Sequence, residues 1–115
     1  MDRQRRAEKH LVDGQRKMTG WWFGLGADPE LAAEHFMQAS NLFKLEQQWN
    51  RAAEACALSA GALAQTESNY EAAGQAKEAG DLYQRGDQNT LAIEQWHRAA
   101  ELFQGQGLFL RSARC

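Results

Sequence analysis

Five residues of this chain carry side chains that ligate metals or act as nucleophiles and bases near neutral pH: His10, His35, His97, Cys56 and Cys115. Their spacing argues against both chemistries. No His–Cys pair has ligand spacing and no Cys-x2-Cys occurs, whereas a zinc site draws three or four ligands from short intervals. The acidic residues are spread along the chain, and no nucleophile stands beside a base. Gly24-Leu25-Gly26-Ala27-Asp28 has the outline of a phosphate loop before a helix. No Lys-Ser or Lys-Thr follows it, no strand precedes it, and Asp28 repels phosphate. The expectation is therefore no catalytic residue, no metal and no cofactor, with the histidines on the surface or at helix caps.

The segment that does suggest a chemistry is Gly20-Trp21-Trp22-Phe23-Gly24-Leu25-Gly26. Large apolar side chains in a loop mark a contact surface, because loops lie outside the core. Trp suits the headgroup zone of a bilayer, where its ring is apolar and its N–H stays wet. Arg16 and Lys17 precede the loop, and each basic group near an anionic leaflet adds about 1 kcal/mol. Trp21, Trp22, Phe23 and Leu25 are thus candidate membrane-contact residues, giving weak and reversible binding unless a second anchor exists. The competing reading folds the loop back into a groove between the first two helices, aromatics being core by default.

The elements that must hold this loop announce themselves by a 20-residue period. Ala32, Ala52, Ala72 and Ala92 align, as do Ala39, Ser59, Ala79 and Ala99; Leu42, Ala62, Leu82 and Leu102; and Phe43, Leu63, Tyr83 and Phe103. Within each copy these positions share one stripe of a 3.6-residue helix, and a motif repeating at this interval means stacked helices. The spacing predicts a helix over residues 1–19, the aromatic loop over 20–28, four helices over 29–107, and a truncated sixth helix over 108–115 after Gly105 and Gly107. Asp28-Pro29-Glu30 supplies a cap, a first-turn proline and an acid for the second helix. Gly86 reads as a left-handed C-cap, and Cys56, in the column of Phe36, Ala76 and Trp96, as a small core residue. The missing polar cap on the last helix points to a fragment or truncated product, and Ile93 and Trp96 to self-association.

Composition sets the remaining bounds. With 115 residues the chain is a single domain. One Val and one Ile against abundant Ala, Leu, Gln, Glu and Arg exclude a sheet and favour helix. The net charge of −2 argues against nucleic acid as a partner, and Arg3-Gln4-Arg5-Arg6 is too short, with no stacking aromatic, to reverse that. Charge is uneven, however: residues 1–20 hold six basic and three acidic groups, and the rest seven basic and twelve acidic. No run of about 18 apolar residues and no signal-peptide core occurs, so a cytoplasmic, at most peripherally membrane-associated protein is expected, with thiols kept reduced.

The order of helix, glycine-bracketed aromatic loop, then Ala32 to Phe36 to Ala39 to Leu42-Phe43-Lys44, then Trp49 and Ala52-Ala53, resembles the amino-terminal half of the soluble NSF attachment proteins (SNAPs). Ala72-Ala73, Ala79-Gly80, Gly86-Asp87 and Arg98-Ala99 to Phe103 extend the likeness, which covers roughly Ala7 to Arg114. The resemblance implies an all-α, TPR-like right-handed stack of antiparallel hairpins, an α-solenoid of about five helices plus the truncated sixth. It implies an adaptor in vesicle-mediated transport that binds the SNARE complex, touches the membrane through its loop and recruits the NSF ATPase. Lys44, Arg85, Arg98 and Arg114 stand at positions implied to meet the acidic SNARE bundle, although Lys44 and Arg85 also suit helix ends as plain solvated charges. Leu108 stands where a basic residue often occurs in the family. The NSF-contacting region of the family lies at its far carboxyl end, so NSF coupling is expected only of a longer chain. A generic TPR-like scaffold holding a peptide, or a truncated regulatory form, remains the alternative.

Overall fold

The computed structural model describes residues 2–19 and 28–114, with side chains described for 2–18 and 28–104. Five α-helices follow one another: α1 (Asp2–Thr19), α2 (Pro29–Leu45), α3 (Trp49–Gln65), α4 (Asn69–Arg85) and α5 (Asn89–Arg114). From α2 onward each helix begins 20 residues after the last, as the alignment of columns predicts. The described residues are helical outside short turns, so the fold class is all-α.

The period has a local cause. Each of the three inner turns closes with the same pair of backbone hydrogen bonds: Gln48 N–H to Phe43 O and Gln47 N–H to Lys44 O, then Ser68 to Leu63 and Glu67 to Ala64, then Gln88 to Tyr83 and Asp87 to Gln84. This is the Schellman arrangement, which requires a left-handed residue just past the helix. Gln47, Glu67 and Asp87 take that role, with φ of 58°, 64° and 62°. The residue that completes each closure also opens the next helix, since the carbonyls of Gln48, Ser68 and Gln88 accept from the N–H groups of Ala52, Ala72 and Ala92. Seventeen helical residues and three turn residues make the repeat.

Gly86 is consequently not the left-handed residue; its φ is −89°. Its lack of a side chain serves space instead, because a Cβ there would overlap the amide of Asn50, whose Nδ2 donates to the Gly86 carbonyl at 3.3 Å. The expected sixth helix is also corrected. α5 runs unbroken through Gly105 and Gly107 to Arg114, 26 residues in all. Glycine in a helix costs about 1 kcal/mol relative to Ala and does not forbid it, and no proline follows to force a break.

Consecutive helices pack antiparallel, and alternate helices touch as well. Arg51 on α3 pairs with Glu8 on α1, Arg98 on α5 donates to Ala57 O on α3 at 3.3 Å, and Lys44 on α2 meets Glu78 on α4 at 2.6 Å. The result is two layers, α1–α3–α5 over α2–α4, in a body of 55 × 40 × 18 Å. The core between them is mostly alanine: the first column, Ala32, Ala52, Ala72 and Ala92, is buried throughout. Phe36 and Phe43 are the largest fully buried side chains.

One rule organises the contacts between successive helices. Near the middle of each pair, a small residue on one helix receives the residue of the Phe36 column on the next. Gly14 receives Phe36, whose ring would lie 2.6 Å from a Cβ at that glycine. Ser40 receives Cys56, Oγ to Sγ 3.0 Å. Ala60 clusters with Ala76, and Gly80 receives Trp96, whose indole a Cβ would overlap. At least one partner is always small, so the backbones can approach.

Candidate functional site

Among the described residues an open groove of about 470 Å³ lies on the α1–α3–α5 layer. Met18 of α1, Phe36 of α2 and Leu58 and Ala62 of α3 make its walls apolar, while Glu54 and Arg98 stand at its polar rim. Gly61 lies on its lining, where a Cβ would come within 3.2 Å of Arg98 Nη2. The Arg98 guanidinium donates to the Ala57 carbonyl of α3, which has a second acceptor site available. Such a surface can hold a helix or an extended apolar segment, with a cation and an anion to set its direction.

Of the four basic residues singled out from the sequence, the three with described side chains each reach a different partner. Arg98 reaches across the α3–α5 layer to the groove. Lys44 reaches across the α2–α4 layer to Glu78 and is half-buried. Arg85, in the last turn of α4, stacks its guanidinium 4.5 Å from the centre of the Trp49 ring, at the edge where the turns lie. Arg114 is on the last turn of α5, and its side chain lies outside the described residues. The loop residues Trp21, Trp22, Phe23 and Leu25 also lie outside them. The Lys17 carbonyl and Asp28 N–H, 2.9 Å apart, close the chain around that segment, and Asp28 Oδ1 accepts from Leu31 N–H as the expected N-cap. Gln15 and Met18 of α1 line the groove.

Cys56 is buried, as its column indicates. The Ser40 hydroxyl donates to the Ala52 carbonyl at 3.0 Å, which leaves the thiol to donate to Ser40 Oγ. Burial pushes the Cys56 thiol up to about 11, the Ser40 contact offsetting part of the rise. A thiol held neutral and inside is a packing element rather than a nucleophile.

One polar contact was not foreseen from the sequence. His10 and His35 face each other across the α1–α2 seam, Nδ1 to Nδ1 3.1 Å, with ring centroids 5.4 Å apart. The centroid separation is the nitrogen distance plus about one ring radius on each side, so the two nitrogens meet nearly head-on. That geometry suits one shared proton, an N–H on one ring and a lone pair on the other, and it turns both lone pairs away from any common metal. Burial, and next the charge of His35, lower the His10 pKa. The signal was present in the numbering: each histidine lies seven residues from the Lys17–Asp28 closure. Among the described residues no three His, Cys, Asp or Glu side chains gather as a metal site, and no described helix is long and apolar enough to cross a membrane.

Comparison with known proteins gives this architecture a lineage. The family model "Soluble NSF attachment protein, SNAP" matches residues 3–115. The chain belongs to the SNAP family. It is 31% identical over 108 residues to an alpha-soluble NSF attachment protein of Vitis vinifera, covering 94% of this chain and 37% of that relative. Against the proteins of the same name in Homo sapiens and Mus musculus the identity is 30% over 108 residues, covering 94% of this chain and 36% of each relative. The SNAP-like chain thus spans little more than a third of the length of these curated relatives. No solved structure gives a significant match. The family assignment made from the residues is therefore correct, and the stack of helices is the framework in which its surfaces are to be read.

Proposed function

We propose that this chain is a SNAP-like adaptor of vesicle-mediated transport, non-enzymatic, that binds the SNARE complex at a membrane and, as part of a longer chain, couples it to the NSF ATPase. The observation that carries the reading is the match of the SNAP model to residues 3–115; the relatives' name is what ties such a chain to NSF. The structure supplies compatible surfaces. The apolar groove rimmed by Arg98 offers a helix-sized contact, and Lys44, Arg85 and Arg114 are further proposed SNARE contacts. Because Lys44 and Arg98 serve different layers, Arg98 is expected to matter more to a partner seated in the groove. Trp21, Trp22, Phe23 and Leu25 are the proposed membrane contact, giving peripheral and reversible attachment.

The groove also supports a second reading, a scaffold that holds an apolar peptide without any membrane step. Flotation separates the two. Liposomes bearing an assembled SNARE complex should recover the wild-type chain, and bare liposomes much less. A Trp21→Ser/Trp22→Ser variant should lose most of that recovery, and Arg98→Ala part of it. Equal recovery on bare liposomes would reduce the function to membrane attachment. No recovery on either would favour the scaffold.

A further inference from the structure

From α2 onward the described cations are matched, with one exception. Lys44 pairs with Glu78, Arg51 with Glu8 and Glu54, and Lys77 with Asp81, while Arg85 stacks on the Trp49 ring. Arg98 is half-buried at the groove wall, and among the described residues no carboxylate pairs with it. Its Nη1 donates to the neutral Ala57 carbonyl at 3.3 Å, which leaves the charge unbalanced and further N–H groups of the fork unused. Glu54, the one carboxylate among the described lining residues, is already held by Arg51 at 3.1 Å.

The surface beside this cation is apolar. From Ala57, where Arg98 is anchored, the lining continues along α3 through Leu58 and Gly61 to Gln65, with Met18 and Phe36 alongside. Eight residues at 1.5 Å each make this run about 12 Å long. α3 is the middle helix of its layer, so α1 and α5 of this chain form both flanks of the groove.

We infer that the groove binds one free long-chain fatty acid, its carboxylate on Arg98 and its alkyl chain laid along α3 against Leu58, Met18 and Phe36. A planar guanidinium receives a carboxylate through two parallel N–H bonds, stronger than bonds between neutral groups. One unmatched cation balances one negative charge; a phosphate monoester, carrying about −1.5 to −2, would stay under-neutralised near Glu54. An extended peptide would set backbone N–H and C=O groups against walls that cannot meet them, and an alkyl chain has none. A helix of an acidic bundle presents carboxylates on successive turns, whereas the groove offers a single unmatched cation. The inference stands apart from the SNARE reading, but both occupants claim Arg98, so a bound fatty acid excludes a protein helix from the groove.

Isothermal titration calorimetry with monomeric decanoate tests it, beside decanol and decyltrimethylammonium, which keep the chain and change the head. Decanoate should bind one-to-one and about tenfold or more tighter than decanol, as one charge-assisted contact provides, with the cation weakest. Arg98→Gln should abolish this preference and leave decanoate no tighter than decanol, with circular dichroism and melting unchanged. Ala57→Trp, at a part-exposed position in the lining, fills the trough and should weaken decanoate and decanol alike. Lys77→Gln removes a cation from the opposite layer and should leave decanoate binding as it is. Equal affinity for the three amphiphiles would overturn the inference, as would a decanoate preference that survives Arg98→Gln or binding untouched by Ala57→Trp. Absence of decanoate binding, with Arg98→Ala still lowering recovery on SNARE-bearing liposomes, would assign the groove to a protein helix alone and overturn it while the SNARE reading stands. Decanoate binding without SNARE-dependent recovery would support it while that reading falls.

Discussion

The middle of the stack and its last helix present the same residue columns to different surroundings, and the difference separates what a position is from what it contributes. In α2, α3 and α4 the fifth residue of the helix is a buried alanine, Ala33, Ala53 and Ala73; in α5 it is Ile93, larger and mostly in water. Composition alone ranks Ile93 as the better core residue. Burial reverses the order, because apolar stabilisation follows the area taken from water and not the side chain's size.

The sharpest way to break the comparison is to place one charge at both positions. Ala53→Glu forces a carboxylate between α3 and its neighbours with no cation arranged to meet it. Such a substitution should cost on the order of 3 kcal/mol or more, or leave the chain unfolded. Ile93→Glu, in the same column, should change stability by about 0.5 kcal/mol or less, as exposed positions do. Urea unfolding followed by circular dichroism measures both, and similar losses would mean that the α5 face is covered in solution.

A second pair of changes acts on neighbouring residues of one turn, with opposite signs. Gly86→Ala pushes the exposed Asn50 side chain aside and breaks its 3.3 Å hydrogen bond to the Gly86 carbonyl, and should destabilise by about 1 kcal/mol or less. Asp87→Gly relieves a left-handed backbone that an L side chain disfavours and should be neutral or stabilising by up to about 1 kcal/mol. A shift of melting temperature in the same direction for both would contradict this assignment of roles.

That turn also shows how far the sequence can be read. The 20-residue spacing of Ala32, Ala52, Ala72 and Ala92 reveals the helices because burial on one stripe leaves a periodic trace in residue type. Gly86 misleads because a glycine is used either for φ or for space, and the letter does not say which; only the position of Asn50 decides. Gly105 and Gly107 mislead similarly, being tolerable in a helix that nothing terminates. In the candidate site, Lys44, Arg85 and Arg98 are recognisable as basic residues on a helical register. Which of them share a surface depends on the alternation of layers, a property of packing that leaves no mark on a single helix. The His10–His35 contact is readable only once the hairpin's closure at Lys17 and Asp28 is known.

This histidine pair belongs to the outer half of the comparison, since it joins α1, the other terminal helix, to the middle of the stack. Lowering of the His10 pKa comes first from burial, then from His35, with Arg6 and Lys9 adding and Asp13 opposing. The unfolded chain takes up this proton near the ordinary 6.5, before the folded one does. Stability from the pair is therefore complete above that pH and declines as pH falls through 6.5 toward the lower folded value. Charging His10 places a cation in the partly buried seam between α1 and α2, beside Arg6 and Lys9, and the seam loosens. The effect should be the smallest of the three and confined to α1. Amide exchange in α1 should speed up between pH 7 and 5 in the wild-type chain relative to α3, and His10→Gln, which keeps a neutral hydrogen-bonding side chain, should flatten the difference. An unchanged α1-to-α3 ratio across that interval would show that the pair carries no load at this end of the stack.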